Sequence, residues 1–182
     1  KHIEESRIYS PVGIVNEFQE TILKEMDFNA EAAHIARFQL NFKDTVTVYV
    51  PKVYHTVSTG RVLTLERIEG TKITDREEIE KLGLDRKQIA LNGANAILKQ
   101  VFIDGFFHAD PHPGNIFVIE GNKIVFLDYG MVGRIDEETK DQLANILTAI
   151  VERDVSEISE TFLAMGMIDE VDVRKLNLSL AD

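Results

Sequence analysis

Two short apolar runs, Ile116-Phe117-Val118-Ile119 and Lys123-Ile124-Val125-Phe126-Leu127, flank the dipeptide Gly121-Asn122. No other feature limits the fold as strongly. Gly and Asn both accept the positive φ of a tight hairpin turn, so the pattern predicts antiparallel strands over 116–119 and 123–127. Whatever precedes the first strand and follows the second is then carried to the same open end. Before it stands Phe106-Phe107-His108-Ala109-Asp110-Pro111-His112-Pro113-Gly114-Asn115; after it stands Asp128-Tyr129-Gly130. Polar groups at strand ends are where a rigid scaffold presents loop residues to a ligand.

The rest of the chain alternates between helical and strand patterns. Val15, Phe18, Ile22 and Met26, then Phe28, Ala32, Ile35 and Phe38, recur at helical spacing from Pro11 to about Phe42, with a phase shift near Asp27. Ser10 and Pro11 suit its cap and first turn. Strands are expected over 45–50, 52–57 and 61–67, with a turn at Ser58-Thr59-Gly60. Thr74-Asp75-Arg76-Glu77 has the form of a capping box. Asp85 opens a helix to about Asp104, with Ala90, Gly93, Ile97 and Val101 on one face. Asp136, followed by Glu137 and Glu138, starts a helix with a stripe of Leu143, Ile146, Leu147 and Ile150, and a last helix covers 156–165. Helices and a few short strands in this order define an α+β chain.

Composition closes off several classes of function. The 182 residues carry 20 Lys and Arg against 31 Asp and Glu, a formal charge of −11, which opposes a nucleic-acid-binding surface. No apolar run exceeds four residues, too short for a membrane span or a secretory signal. With no cysteine, disulfides, thiolate metal sites and cysteine nucleophiles are excluded. The sequence starts at Lys1 and stops at Asp182 inside an amphipathic pattern, so it reads as an internal piece of a longer protein.

The hairpin folds Asn115 and Asp128, thirteen residues apart, toward each other, with Asp110 five residues before Asn115. A carboxylate beside an amide oxygen is a hard, all-oxygen donor pair of the kind Mg²⁺ takes when water and phosphates complete its shell. Asp110 is placed to accept or orient a hydroxyl proton. His-x-Asp-x-His also matches a metallohydrolase ligand cluster, Asp-Tyr-Gly taken alone is an ordinary turn, and His108 reads as a brace for the loop rather than a participant in chemistry.

The octapeptide His108-Ala109-Asp110-Pro111-His112-Pro113-Gly114-Asn115 resembles the signature of the UbiB-type (AarF-like) atypical kinase family, which shares the protein-kinase-like fold. Lys24-Glu25-Met26-Asp27-Phe28 resembles that family's Glu-x-Asp element, Glu31-Ala32-Ala33 its following Glu-Ala segment, and Val62 to Gly70 its hinge strand. The resemblance implies a partial N-lobe with a long helix, two or three strands and the hinge over 1–66, and a C-lobe over 67–182. It implies ATP and Mg²⁺ as cofactors, Asp110 as the catalytic-loop Asp, and Asn115 and Asp128 as metal ligands. Glu25 and Asp27 match a pair placed near the nucleotide and metal, Glu31 matches the glutamate that pairs with the ATP-positioning lysine, and the backbone of Leu65, Glu66 and Arg67 faces the adenine. Tyr129 stands where Phe is commoner, and His34 where the family usually has Asn.

The resemblance further implies support of ubiquinone or related isoprenoid-lipid biosynthesis, with lipid or lipid-biosynthesis proteins as partners, at the cytoplasmic face of a bacterial membrane or its organelle equivalent. Contact with the membrane would run through segments outside this chain, the piece itself being soluble. The family's Lys-x-Gly-Gln motif, alanine-rich loop and nucleotide lysine lie ahead of the equivalent of Pro11, so the isolated chain is expected to lack turnover. Two other readings remain: a small-molecule phosphotransferase of the aminoglycoside or choline kinase type, which the Glu25/Asp27 pair opposes, and a non-catalytic nucleotide-binding scaffold.

Overall fold

The computed structural model describes residues 27–166 continuously and, ahead of them, residues 13, 15, 16, 19 and 22, all helical. The expected cap at Ser10 and most of the first half of the expected N-terminal helix lie outside the described residues. The described chain falls into two compact units, one within Lys1–Ile97 and His108–Gly133, the other within Leu98–Phe107 and Arg134–Asp182. The expected lobe boundary at 66/67 lies inside the first.

In the first unit, α1 (Phe28–Asn41) starts where the apolar pattern shifts phase. Asp27 leaves the helical region (φ −100°, ψ 94°) and its carboxylate accepts the Asn29 N–H at 3.0 Å, so the phase shift marks a helix start. The Phe28 N–H donates to the Gly60 carbonyl at 3.1 Å, and a Cβ on Gly60 would fall 3.0 Å from Asn29 Nδ2 and 3.2 Å from Asp27 Oδ1. A larger residue there would require those two side chains to give by a few tenths of an ångström.

A four-stranded sheet follows, in the order β1 (Val48–Tyr49), β5 (Lys123–Phe126), β4 (Ile116–Ile119), β2 (Thr71–Lys72). The hairpin forms as expected: Ile116 pairs with Phe126 and Ile119 with Lys123, while Gly121 (φ 77°) and Asn122 (φ 59°) take the left-handed turn positions. Strand β1 runs parallel to β5, and β2 antiparallel to β4. Ile35 and Phe38 of α1, Val118 of β4, Ile124, Val125 and Phe126 of β5, and Tyr129 are all 2% exposed or less and form this unit's core.

The strands expected over 45–67 shrink. Only Val48–Tyr49 pairs as a strand; Val53 and Leu65, and Thr59 and Val62, make single bridges, and His55–Val57 is a 3₁₀ turn. Pro51 has no N–H for a ladder and separates the first two segments, so β-branched composition could not become continuous pairing here. In α2 (Arg76–Lys81) the cap is Asp75, accepting the Glu78 N–H at 3.1 Å, rather than Thr74.

Helix α3 (Arg86–Leu98) is capped by Asp85 as expected, but Ile89, Asn92 and Ala96 are its buried residues and Ala90 is exposed. Apolar periodicity could not reveal this, because the central buried residue is polar: Asn92 donates to the Asn122 carbonyl and accepts from Gln88, both at 2.8 Å. Its partner is the hairpin turn, so the turn residues serve twice.

In the second unit the helix expected to reach Asp104 changes to a π-helical segment, Lys99–Asp104, that ends at Gly105 in the left-handed conformation (φ 58°). Strands β3 (Phe106–His108) and β6 (Val132–Arg134) form a two-stranded sheet. Phe106 is buried beneath the Arg134 guanidinium, 5.4 Å from the ring centre. Helix α4 (Glu137–Glu152) is capped by Asp136 as expected, yet Ile146 and Ala149 are buried with Lys140, while Leu147 and Ile150 are exposed. Helix α5 (Val155–Ala164) matches the last expected helix. No described helix is long and apolar enough to cross a membrane.

Candidate functional site

The loop from Ala109 to Asn115 is held by its own hydrogen bonds. His112 accepts the Gly114 N–H on Nδ1 at 3.1 Å and opens a single 3₁₀ turn, Pro113–Asn115, that leads into β4. Across the hairpin, the Leu127 N–H donates to the Asn115 carbonyl at 3.0 Å, and Asn115 Nδ2 donates to Asp128 Oδ2 at 3.2 Å. The other Asp128 oxygen, Oδ1, accepts the Gly130 N–H at 2.9 Å. The hairpin therefore does bring Asn115 and Asp128 into direct contact.

His108 ties Asp110 to Asp128. Its Nδ1 accepts the Asp110 N–H at 3.2 Å, it hydrogen-bonds the Asp128 backbone, and its ring lies 5.5 Å from Phe126 and 5.9 Å from Tyr129. Burial holds its pKa below the usual histidine range, against the pull of Asp128. A neutral imidazole offers one donor and one acceptor, which these two bonds use. That is bracing, as the sequence indicated.

Glu31 and His34, one turn apart on α1, take hold of Tyr129 from the same helix face. Glu31 accepts the Tyr129 N–H at 3.1 Å, and His34 Nδ1 lies 2.8 Å from the Tyr129 carbonyl. Because a carbonyl only accepts, His34 Nδ1 is the donor. Burial raises the Glu31 pKa, partly offset by the Tyr129 N–H and reinforced by the nearby Asp128. The Tyr129 ring is fully buried 5.0 Å from Phe38, and burial pushes its hydroxyl far above the usual phenol range; that hydroxyl has no hydrogen-bond partner among the described residues. Sequence reasoning registered His34 only as a departure from a family pattern. Its spacing of three from Glu31 was the available signal.

Several of these groups line one cavity of about 300 Å³, formed by Phe28 and Glu31 of α1, His108 and Asp110 of the loop, and Asp128, Gly130 and Met131 after the hairpin; Asn115 and His34 are not in its lining. Asp110 and Asp128 are both exposed at it. Asp27 is exposed one residue away from this lining, with one oxygen spent on the helix cap, and Glu25 lies outside the described residues. Among the described residues, no group of three or more His, Asp and Glu side chains could hold a metal ion alone. A carboxylate beside a carboxamide fits a cation such as Mg²⁺ that keeps waters or phosphate oxygens as most of its ligands; Asn115 here offers Asp128 its amide nitrogen, so its oxygen serves as a ligand once the amide turns.

Leu65, Glu66 and Arg67 lie elsewhere. Glu66 Oε2 accepts from the Tyr49 hydroxyl at 2.6 Å and from the Lys52 N–H at 3.1 Å. That hydrogen bond pushes the Tyr49 pKa up to about 12 and lowers that of Glu66. Glu66 and Arg67 line a wide cavity of about 660 Å³ with Tyr49, Ile119 and Lys123. It shares no lining residue with the cavity around Asp110 and Asp128. The loop and post-hairpin residues thus line one cavity with Glu31, while Glu66 and Arg67 line another.

A short helix clamped onto an Asp-Tyr-Gly turn, with a catalytic-type loop feeding a β-hairpin, is a protein-kinase-like arrangement. The family described as the ABC1 atypical kinase-like domain matches residues 2–162, and the chain belongs to that family. It is similar to the "Probable protein kinase UbiB" of Aliivibrio salmonicida, 34% identical over 185 residues that cover 99% of this chain and 34% of that protein. It also resembles "Protein ACTIVITY OF BC1 COMPLEX KINASE 8, chloroplastic" of Arabidopsis thaliana, 36% identical over 159 residues, or 86% of this chain and 21% of that one. The chain thus spans only a third or a fifth of these relatives' lengths. Among solved structures, the complex of Rv3197 with erythromycin from Mycobacterium tuberculosis matches with a TM-score of 0.61 and 25% identity, over 86% of this chain and 40% of that one.

Proposed function

We propose that this chain contributes the metal-binding and acceptor-orienting side of a Mg²⁺- and ATP-dependent phosphoryl-transfer site. The observation that carries the reading is the direct Asn115–Asp128 pairing beside a cavity that Asp110 also lines. Asp128 and Asn115 are the residues that would hold the cation, which supplies neutralisation of phosphate charge when bound. Asp110 accepts or orients the acceptor's hydroxyl proton, with its backbone fixed by His108. Asp27, through its carboxylate oxygen not used for capping, and Glu25 belong near the nucleotide, and Leu65, Glu66 and Arg67 supply the hinge. Positioning, rather than covalent chemistry, is what these residues contribute.

The names of the relatives support a kinase-like activity of the whole protein. By likeness to the UbiB relative we extend this to ubiquinone or related isoprenoid-lipid biosynthesis at a membrane surface, with lipid or lipid-biosynthesis proteins as partners. The test uses the full-length protein. ATP with Mg²⁺ at about a hundred times its dissociation constant should stabilise the fold by about 2.7 kcal/mol, and Asp128→Ala should remove that gain. Asp110→Asn should keep the gain and lose turnover. Equal stabilisation of the wild type and Asp128→Ala overturns the reading.

A further inference from the structure

One peptide unit links α1 to the carboxylate just assigned to the cation. The Tyr129 carbonyl and the Gly130 N–H are the two ends of the same planar amide. His34 Nδ1 donates to the carbonyl end at 2.8 Å, and the N–H end donates to Asp128 Oδ1 at 2.9 Å. With Oδ1 occupied there, the rest of the carboxylate is set as well, and Oδ2 lies 3.2 Å from Asn115 Nδ2. We propose that His34 is a positioning residue for Asp128: by holding the Tyr129–Gly130 peptide in one plane, it aims the N–H that fixes the Asp128 carboxylate beside Asn115.

Three further observations favour this over a simple packing role. Glu31, one turn earlier on α1, accepts the Tyr129 N–H, so the peptide planes on both sides of Tyr129 are anchored to the same helix face. The helix does not shift easily, because Ile35 and Phe38 of α1 are fully buried and Phe38 packs against the Tyr129 ring. The two hydrogen bonds on the shared amide also act in the same sense, since a donor at its carbonyl polarises its N–H toward Asp128. A residue in this position acts on a metal site as a partner behind a ligand does, and loss of such partners typically weakens metal affinity about tenfold or more.

The inference rests on the proposed metal role of Asp128, and the experiment separates the two. The full-length protein is titrated with Mg²⁺ at fixed, saturating ATP, and the midpoint of the ATP-dependent rise in melting temperature is read together with the melting temperature of the ligand-free protein. His34→Asn places an amide nitrogen at the same point along the side chain as Nδ1, so its midpoint should stay within about twofold of the wild type. His34→Ala removes the donor and should raise the midpoint about tenfold, with a smaller change in the ligand-free melting temperature. His34→Asp puts an acceptor against the carbonyl and should raise it at least as far. If His34→Ala does not fold, His34→Gln, which carries its donor one bond further out, is read instead and should raise the midpoint severalfold. An unmoved midpoint in His34→Ala or His34→Gln, with Asp128→Ala still abolishing the response, overturns the positioning role alone. An Asp128→Ala protein that responds like the wild type overturns the metal reading on which it stands.

Discussion

The cluster around Asp128 and the segment around Glu66 were both expected to meet a nucleotide, and they are built in different ways. Asp128 stands in a connected network: its backbone reaches His108, its two oxygens reach Gly130 and Asn115, and the next residue is gripped by Glu31 and His34 over a fully buried Phe38. Glu66 stands among isolated bridges and beside a two-residue strand; its carboxylate accepts from the Tyr49 hydroxyl and the Lys52 N–H, and its own N–H donates to the Lys52 carbonyl at 2.8 Å. The contrast shows where this chain invests its rigidity. On the proposed roles this is the expected division: a group that holds a cation needs its neighbours satisfied, whereas a segment that offers backbone to a flat ring needs only its own chain direction fixed.

Substitutions in the two regions should differ in size and in sign. The largest effect is expected from Phe38→Ala, which removes a fully buried ring between Phe42 and Tyr129. It should cost about 3–5 kcal/mol in urea unfolding and abolish the Mg²⁺-ATP response. A cost below about 1 kcal/mol would mean the Asp128 side is not backed by this core. Tyr129→Phe should act in the opposite direction. Deleting a buried hydroxyl that lacks a partner among the described residues should raise stability by about 1–3 kcal/mol, several degrees in melting temperature, and a fall would show that the hydroxyl is used. The smallest effect belongs to the other region. Tyr49→Phe loses the bond to Glu66, but Glu66 keeps the Lys52 N–H, so a loss of about 1 kcal/mol is expected with no shift in the Mg²⁺ midpoint.

Sequence reading reached the strongly patterned parts of the molecule. The hairpin and its turn were legible because Gly121-Asn122 leaves few alternatives, and the helix starts at Asp85 and Asp136 were legible because capping is local chemistry. The meeting of Asn115 with Asp128 followed from the hairpin itself. Long-range polar contacts stayed hidden. Asn92 finds the hairpin turn across thirty residues, and His34 reaches the Tyr129 carbonyl across ninety-five, and neither leaves a periodic trace. Buried faces were misjudged where polar residues were taken inside: Asn92 on α3, and Lys140 on α4 with Leu147 and Ile150 left outside. The strands over 45–67 were overestimated because β-branched composition says nothing of pairing partners, and Pro51 interrupts them.

The most direct measurement of the central idea uses Mn²⁺ in place of Mg²⁺, followed by electron paramagnetic resonance on the full-length protein with ATP. The account predicts that the wild type takes up the ion as a protein-nucleotide complex and that Asp128→Ala and Asn115→Ala leave it as free Mn²⁺-ATP. Identical spectra for the wild type and both variants would contradict it.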